Sequence, residues 1–300
     1  MNTRQLECFV TAVEEGSFTR AARRIGIAQP SLSGHIRALE EEAGGPLLVR
    51  LPRGVAPTAA GRALLPEARA AVRALARAHQ AVRATLTAEE GELEVATVLS
   101  MAVGVLPPWI RAWQEHHPTV AIRLHEFVHR RLLEDAIEHG VADLAVGPVP
   151  LREWAGPLRI VTWEEFVVVL SRNDPLAGRD SVDPVELAQR EWVLYQPTHG
   201  LDGVVEEICR RAGFSPRGRV RTSQAEAAAR LGAAGLGPAI VPDNVVSPGL
   251  DGAVLRLRPR ITRDVAVYSR VELSATATAF ADVLGSGRPR RPPNAQALVL

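Results

Sequence analysis

"AARRIGIAQPSLSGHIRALEEEAGGPLLVR", residues 21–50, decides how the N-terminal part of this chain folds. Leu32, Ile36 and Leu39 recur there at helical spacing, between Gly26 and the Gly44-Gly45 pair. Pro30 stands where a first helical turn tolerates its missing N–H, and Ser31, Ser33, His35 and Arg37 fall on the other faces. Just before, Phe18, Ala21, Ala22 and Ile25 make one apolar face of a short helix that Ser17 can cap and Gly26 can close. Earlier still, "RQLECFVTAVEE" (residues 4–15) places Leu6, Phe9, Val10 and Val13 at helical spacing, and Gly16 ends it. Short helix, tight turn, helix with a small polar leading end is helix-turn-helix organisation. "LLVRLPRGVAPTAAG" (residues 47–61) then reads as a two-stranded wing, with Arg50 on a strand and Arg53 at the tip.

Residues 58–86 read as one long Ala-rich helix with Pro66 in its second turn. Leu64, Ala68, Ala71, Leu75, Ala78, Val82 and Leu86 approximate a heptad seam, so a partner helix is expected. Glu89-Glu90-Gly91 mark a hinge. Beyond it strands and helices alternate for about 200 residues, from "LEVATV" through "EWVLYQ" and "GPAIVP" to "AVYSRV". This rhythm predicts parallel sheets with helices on both faces, split into two small α/β lobes. The Pro- and Arg-rich end, "GSGRPRRPPNAQALVL", predicts a disordered tail over residues 286–300.

Composition fits a globular protein of 300 residues, 46% apolar, with a formal net charge of only +1. Every basic residue is Arg; there is no Lys. Residues 1–90 hold twelve Arg against nine acids, a weak positive field for one copy of the chain. Cys8 and Cys209 lie in apolar-periodic segments and read as small buried residues, neither a disulfide framework nor a zinc knuckle. The start "MNTRQLECFV" lacks signal-peptide character, and no apolar run approaches the ~18 residues of a membrane span, so a cytoplasmic location without membrane contact is expected.

In this order the segments resemble a LysR-type transcriptional regulator over almost the whole chain. The most specific match is the opening stretch; "PTAAGRALLPEAR", "RNDPLA", "EAAARLGAAGLGPAIVP" and "SATATAF" follow in the family's order. Departures are Ala28 where the family usually has Ser, Leu47-Leu48 in place of Leu-Phe at the start of the wing, and the missing Lys. The resemblance implies an α/β fold class with an N-terminal all-α winged helix-turn-helix, a long linker helix and a two-lobed effector domain like a periplasmic binding protein. Its boundaries would be a DNA-binding domain at 1–60, a linker and dimerisation helix at 61–88, and an effector domain at 91–285. Lobe one would comprise 91–162 and 266–285, and lobe two 163–265.

The resemblance also implies roles. Gln29, Pro30, Ser31 and Ser33 would meet base edges and nearby phosphates of double-stranded promoter DNA. His35, Arg37, Thr19 and Arg20 would contact phosphates, and Arg50 and Arg53 would clamp the backbone or enter the minor groove. A small-molecule effector, expected to be anionic, would lie between the lobes at strand ends and helix starts. The candidates are Ser100 and Met101; Gln196, Thr198 and His199; Thr222 and Ser223; and Phe127 and His129 at a strand-to-helix turn. A homodimer or homotetramer is implied, with RNA polymerase as a further candidate partner and no cofactor. The chain is read as an allosteric regulator, not an enzyme.

One motif points elsewhere. "HEFVH", residues 125–129, matches the H-E-x-x-H zinc-peptidase signature. The signature needs a helix to bring both imidazoles to one metal. Upstream, "VAIRL" alternates as a strand that His125 continues, and extended chain separates such positions by about 13 Å. Leu132 and Asp135 also stand where the longer form of the signature needs Gly and His. No G-x-S-x-G, P-loop or strand-linked G-x-G-x-x-G occurs. A plain solute-binding protein would not carry a helix-turn-helix ahead of its lobes.

Overall fold

The computed structural model describes residues 1–51, 54–87, 91–286, 291, 292 and 295–298. The chain divides into two compact units, one of Met1–Gly91 with His139–Val141 and one of Glu92–Glu138 with Ala142–Leu300.

In the first unit, α1 (Thr3–Glu15), α2 (Phe18–Ile25) and α3 (Gln29–Ala43) form the expected three-helix core. Asn2 and Gln5 close a reciprocal capping box on α1, and Ser17 caps α2. Gly16, Gly26 and Gly44 end the helices in the left-handed conformation, with φ of 57°, 74° and 78°. Cys8, Ala12, Ala21, Ala22, Leu32 and Ile36 interlock in one cluster. Phe9, Val10, Leu39, Leu47 and Ala68 form a second.

β1 (Leu48–Leu51) and β2 (Gly54–Pro57) pair antiparallel as the wing. The Glu40 carboxylate on α3 accepts the Leu47 and Leu48 N–H groups at 2.8 and 3.0 Å, which fixes where the wing begins. Thr58 caps α4 (Ala59–Thr87), accepting from Gly61 N–H at 3.0 Å and donating to the Pro46 carbonyl at 2.8 Å. Leu64, Leu65 and Ala68 pack α4 against α1. Further along the seam, Ala71, Leu75 and Ala78 are exposed. The side chains of Val82 and Leu86 lie outside the described residues.

The second unit opens with β3 (Gly91–Val98), α5 (Leu99–Gly104), α6 (Leu106–Gln114), β4 (Val120–Phe127), α7 (Arg130–Glu138) and β5 (Leu144–Pro148). The long strand β6 (Leu158–Leu170) follows, then β7 (Ser181–Val182), β8 (Glu191–Tyr195), α8 (Asp202–Arg211), β9 (Arg217–Thr222), α9 (Ala225–Ala233) and β10 (Ala239–Pro242). β11 (Ala253–Tyr268), α10 (Ala275–Ser286) and β12 (Gln296–Ala297) complete it.

The sheet order is β10-β6-β11-β5-β3-β4, with β8 and β9 paired separately. Parallel pairing, the expected pattern, holds for β3–β5 and β8–β9. The spine differs: β6 and β11 run antiparallel along most of their length and serve both lobes. The core changes over within these two strands. Val161 and Val265 belong to the lobe-one cluster, and Phe166 and Ile261 to the lobe-two cluster.

Within the stretch expected to be a disordered tail, residues 291, 292 and 295–298 are described, and some of them are docked. β12 adds parallel to β11, the Leu298 N–H donates to the Thr262 carbonyl at 2.7 Å, and Leu298 is buried in the lobe-two core. Arg291 pairs with Asp264. Backbone pairing by Gln296 and Ala297 and the burial of one Leu dock these residues, although the composition of the segment reads as solvent-exposed.

Candidate functional site

Two surfaces carry the residues singled out from the sequence. On the first unit, Gln29, Pro30 and Ser31 stand exposed at the leading end of α3. Its N-cap residue, Ala28, offers no side-chain hydrogen bond, so the first-turn N–H groups are left to an outside acceptor. Ser33 is a correction. It is buried, and its hydroxyl accepts from Gln29 Nε2 at 3.4 Å, so it orients Gln29 rather than facing outward. Position 33 follows the fully buried Leu32 and shares the side of α3 that faces the domain. His35 is half-buried and Arg37 exposed.

Thr19 and Arg20 are exposed at the start of α2. The Arg20 guanidinium already donates to the Glu15 carbonyl and lies 3.6 Å from the Glu15 carboxylate, which reduces its free charge. Arg50 is exposed on β1 with its guanidinium carbon 5.4 Å from the Phe18 ring centre, bringing the wing beside Thr19. Arg53 lies outside the described residues.

In the second unit, a cavity of about 290 Å³ opens between the lobes. Ser100 follows β3, His129 precedes α7, and His199 precedes α8; all three line it as expected. His129 caps α7, with Nδ1 accepting the Arg131 N–H at 3.0 Å. A backbone hydrogen bond from Gly200 N–H to the Val128 carbonyl, 2.9 Å, joins the two lobes beside the cavity.

His199 is 5% exposed and stacks on Tyr195 with ring centres 4.8 Å apart. Its Nδ1 accepts from Leu201 N–H at 3.1 Å, so the neutral ring carries its proton on Nε2, which has no partner. Burial holds its pKa below the ordinary imidazole value, with His129 and Arg263 adding to this and Asp202 opposing it.

The other expected effector residues do not line the cavity. Met101 is fully buried in the lobe-one core, because the helical step after Ser100 turns it inward. Phe127, the last residue of β4, packs half-buried against the same core. Gln196 and Thr198 are exposed on the loop before α8. Thr222 accepts from Gln224 N–H at 3.3 Å as a turn ahead of α9, and Ser223 is exposed there.

Sequence reasoning missed four charged residues of the lining: Arg130, Arg263, Asp202 and Glu206. Arg130 Nη1 donates to the Val149 carbonyl at 2.9 Å. Burial first, and Arg263 second, push its pKa down to about 10. Arg263 on β11 is bound by Glu164 on β6, with Nε 2.8 Å from Oε1, and Asn244 Nδ2 donates to the other Glu164 oxygen at 3.0 Å. The legible signal was the Glu164-Glu165 pair inside the largely apolar run "VTWEEFVVVL", where buried carboxylates demand partners.

"HEFVH" does not form a metal pair on a helix. His125 lies within β4, 3.8 Å from Glu94, while His129 sits beyond the strand. Among the described residues no group of three His, Cys, Asp or Glu is placed to hold a metal. None of their helices is long and apolar enough to cross a membrane.

Residues 3–62 match the family model described as bacterial regulatory helix-turn-helix protein, lysR family, and residues 86–288 match the LysR substrate binding domain. The chain is 34% identical over 245 residues to the transcriptional regulator ShiR of Corynebacterium glutamicum, covering 80% of this chain and 82% of that one. It is 30% identical over 290 residues to the regulator BudR of Raoultella terrigena, covering 94% and 100%. Among solved structures, CbnR shares the fold with a TM-score of 0.74 at 23% identity, over 97% of this chain and 100% of that one. Full-length BenM gives 0.58 at 27% identity, over 98% and 100%. The chain therefore belongs to the LysR family of transcriptional regulators, with a DNA-binding helix-turn-helix followed by the family's substrate-binding domain.

Proposed function

We propose that this regulator binds promoter DNA through the leading end of α3 and the wing, and that a small molecule held between the lobes controls it. One observation carries the second part: the cavity takes its walls from both lobes, so an occupant touches both and biases their closure. Gln29 reads a base edge, Ser33 holds Gln29 in place, and the α3 N–H groups with Thr19, Arg37 and Arg50 meet phosphates. The weak positive charge of one N-terminal domain calls for more than one copy on DNA. The exposed Ala71-Leu75-Ala78 face of α4 supplies a surface for that pairing. A relative in fold, CbnR, has been solved as a full-length protein complexed with its target DNA, which supports the same use of this fold here.

The test is to recover the genomic DNA that the full-length protein protects. Mobility shift on that DNA then follows, with and without a metabolite panel. A discrete protected site whose affinity changes with a panel member supports the reading. Protection of random fragments at equal affinity would refute it.

A further inference from the structure

The charged side chains around the cavity are unevenly partnered, and this gives the chemistry of its occupant; the inference rests on the effector reading above. Arg130 opens α7 with its side chain only 13% exposed. Its nearest carboxylate, Glu134, lies 3.8 Å from Nε. Both Glu134 oxygens have closer partners, the Leu151 N–H at 3.1 Å and Arg152 Nε at 2.9 Å. One neutral carbonyl, that of Val149, is the close partner that remains to Arg130. The second cation on the wall, Arg263, is held by Glu164. A nearly buried guanidinium so poorly matched is stabilised by an anion brought from outside.

Lobe two sets a limit on that anion. Asp202 and Glu206 on α8 line the same cavity. Asp202 is engaged by Arg221 at 3.2 Å, whereas Glu206 is exposed at the cavity and held by no such bond. A second anionic group on the ligand would meet these carboxylates. Val98, Leu99, Leu151, Leu201 and Val204 offer apolar surface for the rest. The volume, about 290 Å³, equals that of about ten waters at ~30 Å³ each, so the ligand is small.

We propose that the effector is a small organic monoanion, a monocarboxylate of about ten non-hydrogen atoms with an apolar body, whose carboxylate pairs with Arg130. The anchor lies in lobe one and the body reaches α8 in lobe two, so binding draws on both.

Four probes separate the terms on the full-length protein: hexanoate, its uncharged counterpart hexanamide, the cation hexylamine and the dicarboxylate adipate. Melting temperature and calorimetric titration read binding. Hexanoate is expected to raise the melting temperature at millimolar concentration, and hexanamide and hexylamine to leave it unchanged. Arg130→Gln should weaken hexanoate about tenfold or more, the loss of a charge-assisted hydrogen bond, and Arg130→Lys should restore part of it. Adipate should bind more weakly than hexanoate, and Glu206→Gln should narrow that gap. Because Arg130→Lys keeps the charge, it serves where Arg130→Gln fails to fold. Equal binding of hexanoate and hexanamide, or hexanoate binding unaltered in Arg130→Gln, overturns the proposal. Binding of hexanamide or hexylamine alone leaves the cavity as the effector site and removes the anion. If no probe of any charge shifts melting or DNA binding, the effector reading falls with it.

Discussion

The proposed base reading turns on Gln29. Its amide is exposed at the start of α3 and braced from behind by the buried Ser33 hydroxyl. A good amide–adenine pair discriminates by about 1–3 kcal/mol. Gln29→Ala should therefore weaken operator binding roughly 5- to 150-fold and change binding to random DNA little, as competition mobility shift would read. Equal losses on both would reduce Gln29 to a general contact. Ser33→Ala should give the same pattern more weakly, since it frees Gln29 without removing it. His199 makes a prediction in pH. Its folded pKa is depressed by burial, so the unfolded chain binds the proton more readily. The stability from keeping it neutral is present above the unfolded value, near 6.5, and is lost as pH falls through the folded one. His199→Gln should lose less melting temperature than the wild type between about pH 7 and 5. Parallel curves for the two proteins would remove the effect.

At the scale of elements, α4 is an amphipathic helix with only part of its seam satisfied. Leu64 and Ala68 pack on α1, but Leu75 is 41% exposed. Leu75→Asp should shift the protein toward monomer in sedimentation velocity and lower operator affinity, while its far-ultraviolet dichroism stays unchanged. An unaltered mass would take this face out of self-association. The same scale shows what was legible. α1, α2 and α3 announce themselves through spacing, Ser17 and the closing glycines, because their apolar faces are short and their ends capped locally. β11 did not. "AVLRLRPRITRDVAVY" carries Pro259 and five Arg-or-Asp positions, and only its last residues read as strand. A register shift between Arg256 and Ile261 absorbs the proline, and partners across β6 accept the charges, Glu165 for Arg260 and Glu164 for Arg263. Such compensation is a tertiary fact that no local pattern carries. The residues lining the cavity divide likewise. Ser100, His129 and His199 were readable as residues just past strand ends. Arg130 and Arg263 depend on which neighbour holds which carboxylate.

At the scale of the whole molecule, the two lobes keep separate cores but share the strands β6 and β11, and the tail makes a further connection. α10 packs in the lobe-one cluster, whereas Leu298 is buried in lobe two. Leu298→Ala should cost about 2–5 kcal/mol, the usual range for a buried leucine, and lower the melting temperature of the full-length protein. A melting curve that coincides with the wild type would show the tail to be dispensable. The docked tail also bears on how this regulator is handled. β12 lies against Ile261 and Thr262, where β11 passes from one lobe to the other. A purification tag or a fluorescent reporter fused to the C-terminus would pull on that strand. Ligand responses recorded from such a fusion would mix the effector's effect with the fusion's own, and a reporter meant to leave signalling untouched belongs elsewhere on the surface.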